Sequence, residues 1–441
     1  MTVQRLLLAI IALGLALRLL HGLSQDPLAP YSAQGGDTIW YLANGYALVN
    51  DLPSGSQVRG YPVDIARLTT PPVYLLLIGI PQVAFDEAGA ILVIRALQAF
   101  LSAATIAFAA GLAGRLAGPR AMLIAAAAVA FSPVFILEAA DIRTETTYLF
   151  FVTGGLWAYV EALCRPHPAR WLAAAAVLFG LATLTRAVFL LFPLLLAVHW
   201  LMAQRGQSKR SRWPMGAALL IGLYVLLIST WTIYNLARWE RFVVAGEGLP
   251  AFLYLGATGW EDPEAVDRRL VDTPDGPAQA DFLSGTEAAI NADPLGYAHR
   301  RLGELAGAYL QPHGTLFFPG PGLRELALGW LRDDRSPGGL AALAGEESFW
   351  PKLALYLLHF SAILLGLLGM WRTRQRWRIS LPLAGFIAYT TLIHLILLAL
   401  PRYLFPTLIV WWVFAAAALA GRAIDQGAPS GSSSATSVTV G

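Results

Sequence analysis

Apolar positions along the chain fall into long unbroken runs, without the alternation of a half-buried strand or the narrow stripe of a surface helix. A helix that crosses a bilayer needs about 20 such residues. Runs near 3–23, 88–112, 120–138, 146–163, 169–185, 187–203, 214–236, 351–371, 379–400 and 403–421 therefore predict about ten crossing helices. A further run at 71–85 spans only about 15 residues and is broken by Pro81, so it is expected to lie in, or dip into, the outer interface. Ile39, Leu42, Tyr46 and Val49 share one helical face, which predicts an interfacial helix starting near Asp37. The polar stretch 237–350 carries helix-like patterns at 297–311 and 323–334 and suits a small, mainly helical cap. The expected class is an all-α polytopic membrane protein. Its parts are a core at 1–236 that includes the outer loop 24–87, the cap at 237–350, C-terminal spans at 351–422 and a Gly/Ser/Thr-rich disordered tail at 423–441.

Composition supports lipid as part of the solvent. The chain is 56% hydrophobic and only 13% charged, about half the charge of an average soluble domain. A water-soluble enzyme, a disordered chain and a fibrous chain are excluded. The first run is read as a retained span, since it is too long for a signal sequence and lacks a small-residue cleavage site. Of the 31 basic residues only Lys209 and Lys352 are lysines; the arginines gather between apolar runs, in loops 114–120, 164–170, 204–213 and 371–378. With the N-terminus inside, all four loops fall on the cytoplasmic side, as the positive-inside rule requires, and the site face is then periplasmic in a bacterial inner membrane. The single cysteine, Cys164, excludes an internal disulfide and a cysteine zinc site. Phosphate-cradling and nucleophile-elbow motifs are absent, and the histidines show no ligand spacing, so a divalent metal stays open only on carboxylates.

The unusual charges share a side. Asp37 follows Gly35 and Gly36 in the first outer loop, which also holds Arg59 and Arg67. Asp141, Arg143 and Glu145 occupy a short outer turn, Arg186 a second, and Arg402 the outer start of the last run. Ionisable groups at membrane depth point to function by default. Plainer roles exist for each: Asp37 as a helix cap, Glu145 as a first-turn charge, Asp141 and Arg143 as a solvated turn, Arg67 on lipid headgroups, Arg186 and Arg402 as snorkelling side chains. Tyr41 and its aromatic neighbours suit either an interfacial belt or a sugar face.

Several segments together resemble a known family: GGDTIWYLANGYAL, TTPPVYLLLIGI, EAADIRTETTYLFF, GLATLTRAVFLLFPLLL, TWTIYNLARWERFVVAGEGLPAFLYLGATG and PRYLFPTLIV. In this order they resemble the integral-membrane glycosyltransferases of the C-type fold, in the bacterial branch related to family 39. That branch includes protein mannosyltransferases, aminoarabinose transferases and galacturonic-acid transferases that act on lipopolysaccharide. The resemblance implies a sugar donor carried on a polyprenyl phosphate and a lipid, glycan or protein acceptor. It maps Asp37 to the family's catalytic loop aspartate, Glu145 to the acid of the second outer loop, and Arg402 to a base before the last conserved span. The chain departs from the pattern at Thr38, where many relatives have Glu, at Tyr234, where many have Arg, and at Thr70, where aminoarabinose-type relatives have Lys.

The physical chemistry agrees with that reading. Arginine suits a lipid phosphate because its planar fork makes two charged hydrogen bonds at once, and Arg67, Arg186 and Arg402 are the candidates. A carboxylate is a reasonable base for an acceptor hydroxyl, with Asp37 in that role, Glu145 as the second catalytic acid, and Asp141, Arg143 and Tyr41 as substrate or metal contacts. A transporter or flippase of a lipid-linked substrate is the alternative; such proteins place charge near the midplane, often in paired repeats.

Overall fold

In the computed structural model, the described residues are 2–32, 36–63, 70–205, 213–259 and 277–421. The core helices are α1 (Val3–Ser24), α2 (Asp37–Val49), α3 (Pro72–Ala84), α4 (Glu87–Ala117), α5 (Pro119–Phe131), α6 (Pro133–Ala140), α7 (Thr144–Cys164), α8 (Ala169–Thr183), α9 (Phe192–Gln204) and α10 (Trp213–Trp239). The long segment that follows α10, called the outer segment after its expected orientation, adds α11 (Leu249–Thr258), α12 (Pro277–Ala292), α13 (Pro294–Leu310), α14 (Leu323–Asp333) and α15 (Pro337–Leu343). The chain then returns through α16 (Phe349–Thr373), α17 (Trp377–Ile396) and α18 (Pro401–Leu419). Among the described residues, strand is confined to an antiparallel pair, Gln57–Val58 with Tyr61–Pro62.

Glycine and proline set the breaks. Gly118 has φ +88° and is followed by Pro119, so α4 stops and α5 starts at once. Pro133 divides α5 from α6 with a bend of 51°. Seven helical stretches are long and apolar enough to cross a membrane, or eight if the bent pair counts as one span. The expected ten are therefore not reached by this measure: α8 has 15 residues, short of the roughly 20 a crossing needs. The longest stretch, Phe349–Ile396, contains two helices, α16 and α17. They run antiparallel past Tyr309, whose carbonyl pairs with the His359 ring at 2.8 Å and whose hydroxyl pairs with Thr391 at 2.5 Å. The chain is an all-α multi-pass membrane protein, with α18 buried through most of its length.

The basic loops share one face. Arg115 and Arg165 both grip the Glu161 carboxylate, at 2.6–2.7 Å, which joins the end of α4 to the end of α7. Arg376 donates to the Leu116 carbonyl at 3.0 Å, and the His199 and Trp377 rings lie 5.8 Å apart, bringing in the other two loop ends. Two arginines lie inside the spans. Arg18, inside α1, is 1% exposed, and each of its three side-chain nitrogens donates to a neutral partner. Arg95, inside α4, is also buried and donates to the carbonyls of Gln25, Asp26 and Ala140.

Candidate functional site

Three helices begin at one place on the face opposite the basic loops. Gly36, at φ +95°, turns the chain into α2, so Asp37 is its first residue. Glu145 is the second residue of α7, and Arg402 follows Pro401 at the start of α18. Arg186 sits in extended backbone just after α8. Helix N-termini carry positive partial charge and unpaired N–H groups, so their meeting point already favours an anion.

The side chains form two layers. At the mouth, Arg402 Nη1 donates to Asp37 Oδ2, and both groups keep contact with water. Beneath it, Arg186 Nη1 donates to Glu145 Oε1 at 3.1 Å, with Glu145 2% exposed. Tyr403 links the layers: the Arg186 and Arg402 guanidinium carbons stand 5.2 and 5.0 Å from its ring centre. Burial pulls the Arg186 guanidinium down, but Glu145 and the hydroxyls of Tyr403 and Tyr41 outweigh it, and the group stays above its ordinary value. Tyr41 packs edge-on against Tyr74, with ring centres 5.3 Å apart, and burial, then Asp37 and Glu145, push its hydroxyl up.

The adjoining turn holds Asp141 and Arg143, paired at 3.1 Å. Its backbone is gripped from α4, where Gln98 Nε2 donates to the carbonyls of Ala139 and Asp141 at 3.1 and 2.6 Å. Thr38 Oγ1 donates to the Ile142 carbonyl at 3.5 Å, which ties α2 to the same turn. Asp37, Tyr41, Glu145, Arg186 and Arg402 thus come together from segments far apart in sequence, with Asp141 and Arg143 beside them. Arg67 lies outside the described residues. Arg59 pairs with Glu87 at 3.0 Å and stacks on Tyr31, within the first outer loop.

A second buried pair escapes sequence reasoning. His313 Nε2 meets Glu138 Oε2 at 2.6 Å, with the residues 3% and 1% exposed, and it joins the long outer segment to α6. Small cavities flank it, one lined by Ser102, Thr105, Glu138 and Thr146 and another by His313, His359 and Tyr309. Glu138 sits in a run read as an apolar span and His313 in a loop without pattern, so the one available signal was an acid inside that run. Among the described residues, no group of three or more His, Cys, Asp or Glu side chains is arranged to hold a metal ion.

Residues 69–234 match the protein family described as dolichyl-phosphate-mannose-protein mannosyltransferase. No curated protein matches the chain. Among solved structures, the apo oligosaccharyltransferase of Archaeoglobus fulgidus aligns at a TM-score of 0.54 and 16% identity, over 95% of this chain and 50% of that one. The oligosaccharyltransferase AglB of the same organism, in complex with an inhibitory peptide and a dolichol-phosphate, aligns at 0.54 and 15% identity, over 95% and 50%. A looser overlap, at 0.42 and 14% identity over 94% and 76%, exists with apo ArnT from Cupriavidus metallidurans. The chain spans about half the length of the archaeal structures it matches. The matched segment and the shared architecture give this chain the fold of the C-type integral-membrane glycosyltransferases, as its sequence resemblance implies.

Proposed function

We propose that the chain transfers a sugar from a polyprenyl-phosphate donor to a lipid, glycan or protein acceptor, at the periplasmic face of a bacterial inner membrane and with inversion at the anomeric carbon. The observation that carries this reading is the pair of guanidinium groups, Arg186 and Arg402, both next to the Tyr403 ring and next to the carboxylates of Glu145 and Asp37. A donor of this class has its tail in lipid and its phosphate at headgroup level. Two forked cations at the meeting of three helix N-termini suit that phosphate. The acceptor oxygen attacks the anomeric carbon and its proton passes to Asp37. The bond from that carbon to the phosphate oxygen breaks, and the electron pair leaves with the phosphate, onto Arg186 and Arg402.

Asp37 and Arg402 neutralise each other in this structure. An incoming phosphate competes for Arg402 and frees the carboxylate for its role as base. Glu145, buried against Arg186, serves the reaction by fixing that guanidinium in place. A transporter fits less well, because the acid–arginine pairs lie at the ends of the spans, and each side-chain nitrogen of Arg18, deeper in, meets a neutral partner.

The test is transfer by the purified protein in nanodiscs, with a panel of radiolabelled polyprenyl-phosphate hexoses and pentoses and with glycolipid or peptide acceptors. Transfer in the parent and a loss of about 10²-fold or more in Asp37→Asn, with the fold retained, is the expected result. Undiminished turnover by the variant removes Asp37 from the mechanism. Movement of the donor across the bilayer without transfer favours the transporter.

A further inference from the structure

The bend between α5 and α6 leaves backbone carbonyls that a helix would normally satisfy. Pro133 has no N–H to donate to the Val129 carbonyl four residues back. Val129 and Ala130 belong to the last turn of α5, whose carbonyls lack partners within the helix. Such groups are costly to leave unpaired at membrane depth. Arg18 takes both: Nη2 donates to the Val129 carbonyl at 2.9 Å and Nη1 to the Ala130 carbonyl at 3.0 Å. Nη1 also donates to the Gly14 carbonyl at 2.9 Å and Nε to Ser102 Oγ at 2.7 Å. Among the described residues no carboxylate pairs with Arg18, so carbonyl dipoles are what hold this cation in place.

The rest of α1 is shaped to the same bend. Gly14 faces Ala130 and Gly22 faces Ala140, so α1 runs beside α6 from one end to the other. A Cβ on Gly14 would come within 2.7 Å of Ile106 and 3.1 Å of Ala130. The far end of α6 is held by Arg95 on the Ala140 carbonyl and by Gln98 on those of Ala139 and Asp141. The outer turn with Asp141, Arg143 and Glu145 begins where α6 ends.

We propose that Arg18 is a positioning residue: by occupying the carbonyls orphaned at Val129 and Ala130 it maintains the bend of α6, and through it the place of the outer turn that carries Glu145. The consequence for transfer rests on the proposed function; the assignment of the bend does not.

Three variants test it, Arg18→Met, Pro133→Ala and the double variant, in a Cys164→Ser background in nanodiscs. Spin labels at Leu20→Cys on α1 and Leu137→Cys on α6 report the bend whether or not transfer is measured. Arg18→Met lowers the thermal midpoint by several degrees and broadens the label distance. In the double variant the Pro133→Ala change restores the N–H that the Val129 carbonyl lacks, provided the helix straightens. Its midpoint then recovers, the label distance shifts by several ångströms, and transfer stays at least about tenfold below the parent. An eight-residue helix is about 12 Å long, so removing a 51° bend moves its tip by roughly 10 Å. A parental midpoint and distance in Arg18→Met overturns the assignment, as does a double variant no more stable than Arg18→Met. A shifted distance with parental kcat overturns the positioning role. Absence of transfer in the parent counts against the proposed function alone.

Discussion

At the scale of single residues, the site depends on arginine being a fork and on each buried charge having a partner. Arg402 holds Asp37 through Nη1 and donates to the Tyr403 hydroxyl at 3.3 Å through Nη2, which leaves Nε without a partner. A lysine keeps the charge but not the two-pronged geometry. Arg402→Lys is therefore expected to raise the donor KM at least about tenfold, equivalent to ~1.4 kcal/mol of lost binding, while the folded protein remains intact; an unchanged donor KM would remove Arg402 from the phosphate site. Arg186 and Glu145 are a different case because Glu145 is buried and Arg186 is largely covered. Removing one partner strands the other charge, at a cost of about 3–5 kcal/mol. Arg186→Met is expected to lower the thermal midpoint sharply, and Glu145→Gln in the same chain to recover much of the loss; strictly additive losses would show that the two do not depend on each other. Asp141 offers a pH signature. Burial lifts its carboxyl above the usual range, against the pull of Arg143 and with help from Glu145. The folded state thus favours the neutral acid. That contribution is complete below the ordinary aspartate value of about 3.9 and is lost as pH rises through the folded value. Asp141→Asn should gain in thermal midpoint on the parent as pH climbs from about 4, and midpoints that stay parallel across the range would contradict the shift.

At the scale of elements, the position of Asp37 is set by how α2 crosses α3. The crossing is built on two glycines: a Cβ at Gly79 would stand 2.1 Å from the Gly45 carbonyl oxygen, and one at Gly45 would stand 2.8 Å from that of Leu75. Backbone cannot give way as a side-chain tip can, so Gly79→Ala is expected to cost about 1–3 kcal/mol and to reduce transfer as Asp37 is pushed from Arg402. Unaltered activity and stability would mean that the crossing is looser than these contacts indicate. Much at this scale was legible in the sequence. The helix starting at Asp37, with Ile39 and Leu42 buried, follows from its apolar face, and the helical parts of the outer segment appear near 297–311 and 323–334 as expected. The charges at the outer ends of apolar runs stood out because short outer turns rarely carry arginine. The bend of α6 and the arginines that hold its carbonyls were not legible, since nothing local says which side chain from a distant helix will meet an orphaned carbonyl. Glu138 and His313 were hidden for the same reason: 175 residues separate them, and neither stands in a pattern that announces the other.

At the scale of the whole molecule, one rule recurs, in that cations are spent on backbone where helices break. Lys352 donates to three successive carbonyls at Pro319, Gly320 and Pro321, and Arg301 to those of Gly256, His394 and Leu395. These contacts, with Arg18 on α5 and Arg95 beside α6, fasten broken helices and the outer segment to the spans mainly through backbone carbonyls, with Glu304 also paired to Arg301. The joints differ in kind between the two faces. The face with the candidate site carries acids and arginines that a ligand can separate, whereas on the other face Glu161 is closed by two arginines and the Arg376 guanidinium is set on the Leu116 carbonyl. That asymmetry, with the arginine-rich loops, is the basis for placing the Glu161 face toward the cytoplasm in the proposed function. The single cysteine offers a direct check, because Cys164 is exposed and lies at the Glu161 end of α7. A membrane-impermeant maleimide should label it in inverted vesicles and leave it unmodified in intact spheroplasts, while a cysteine placed at exposed Leu340 in the outer segment, in a Cys164→Ser background, should show the reverse. Labelling of Cys164 from outside intact cells would invert the orientation and put Asp37 and Arg402 on the cytoplasmic side, out of reach of a donor presented at the outer leaflet.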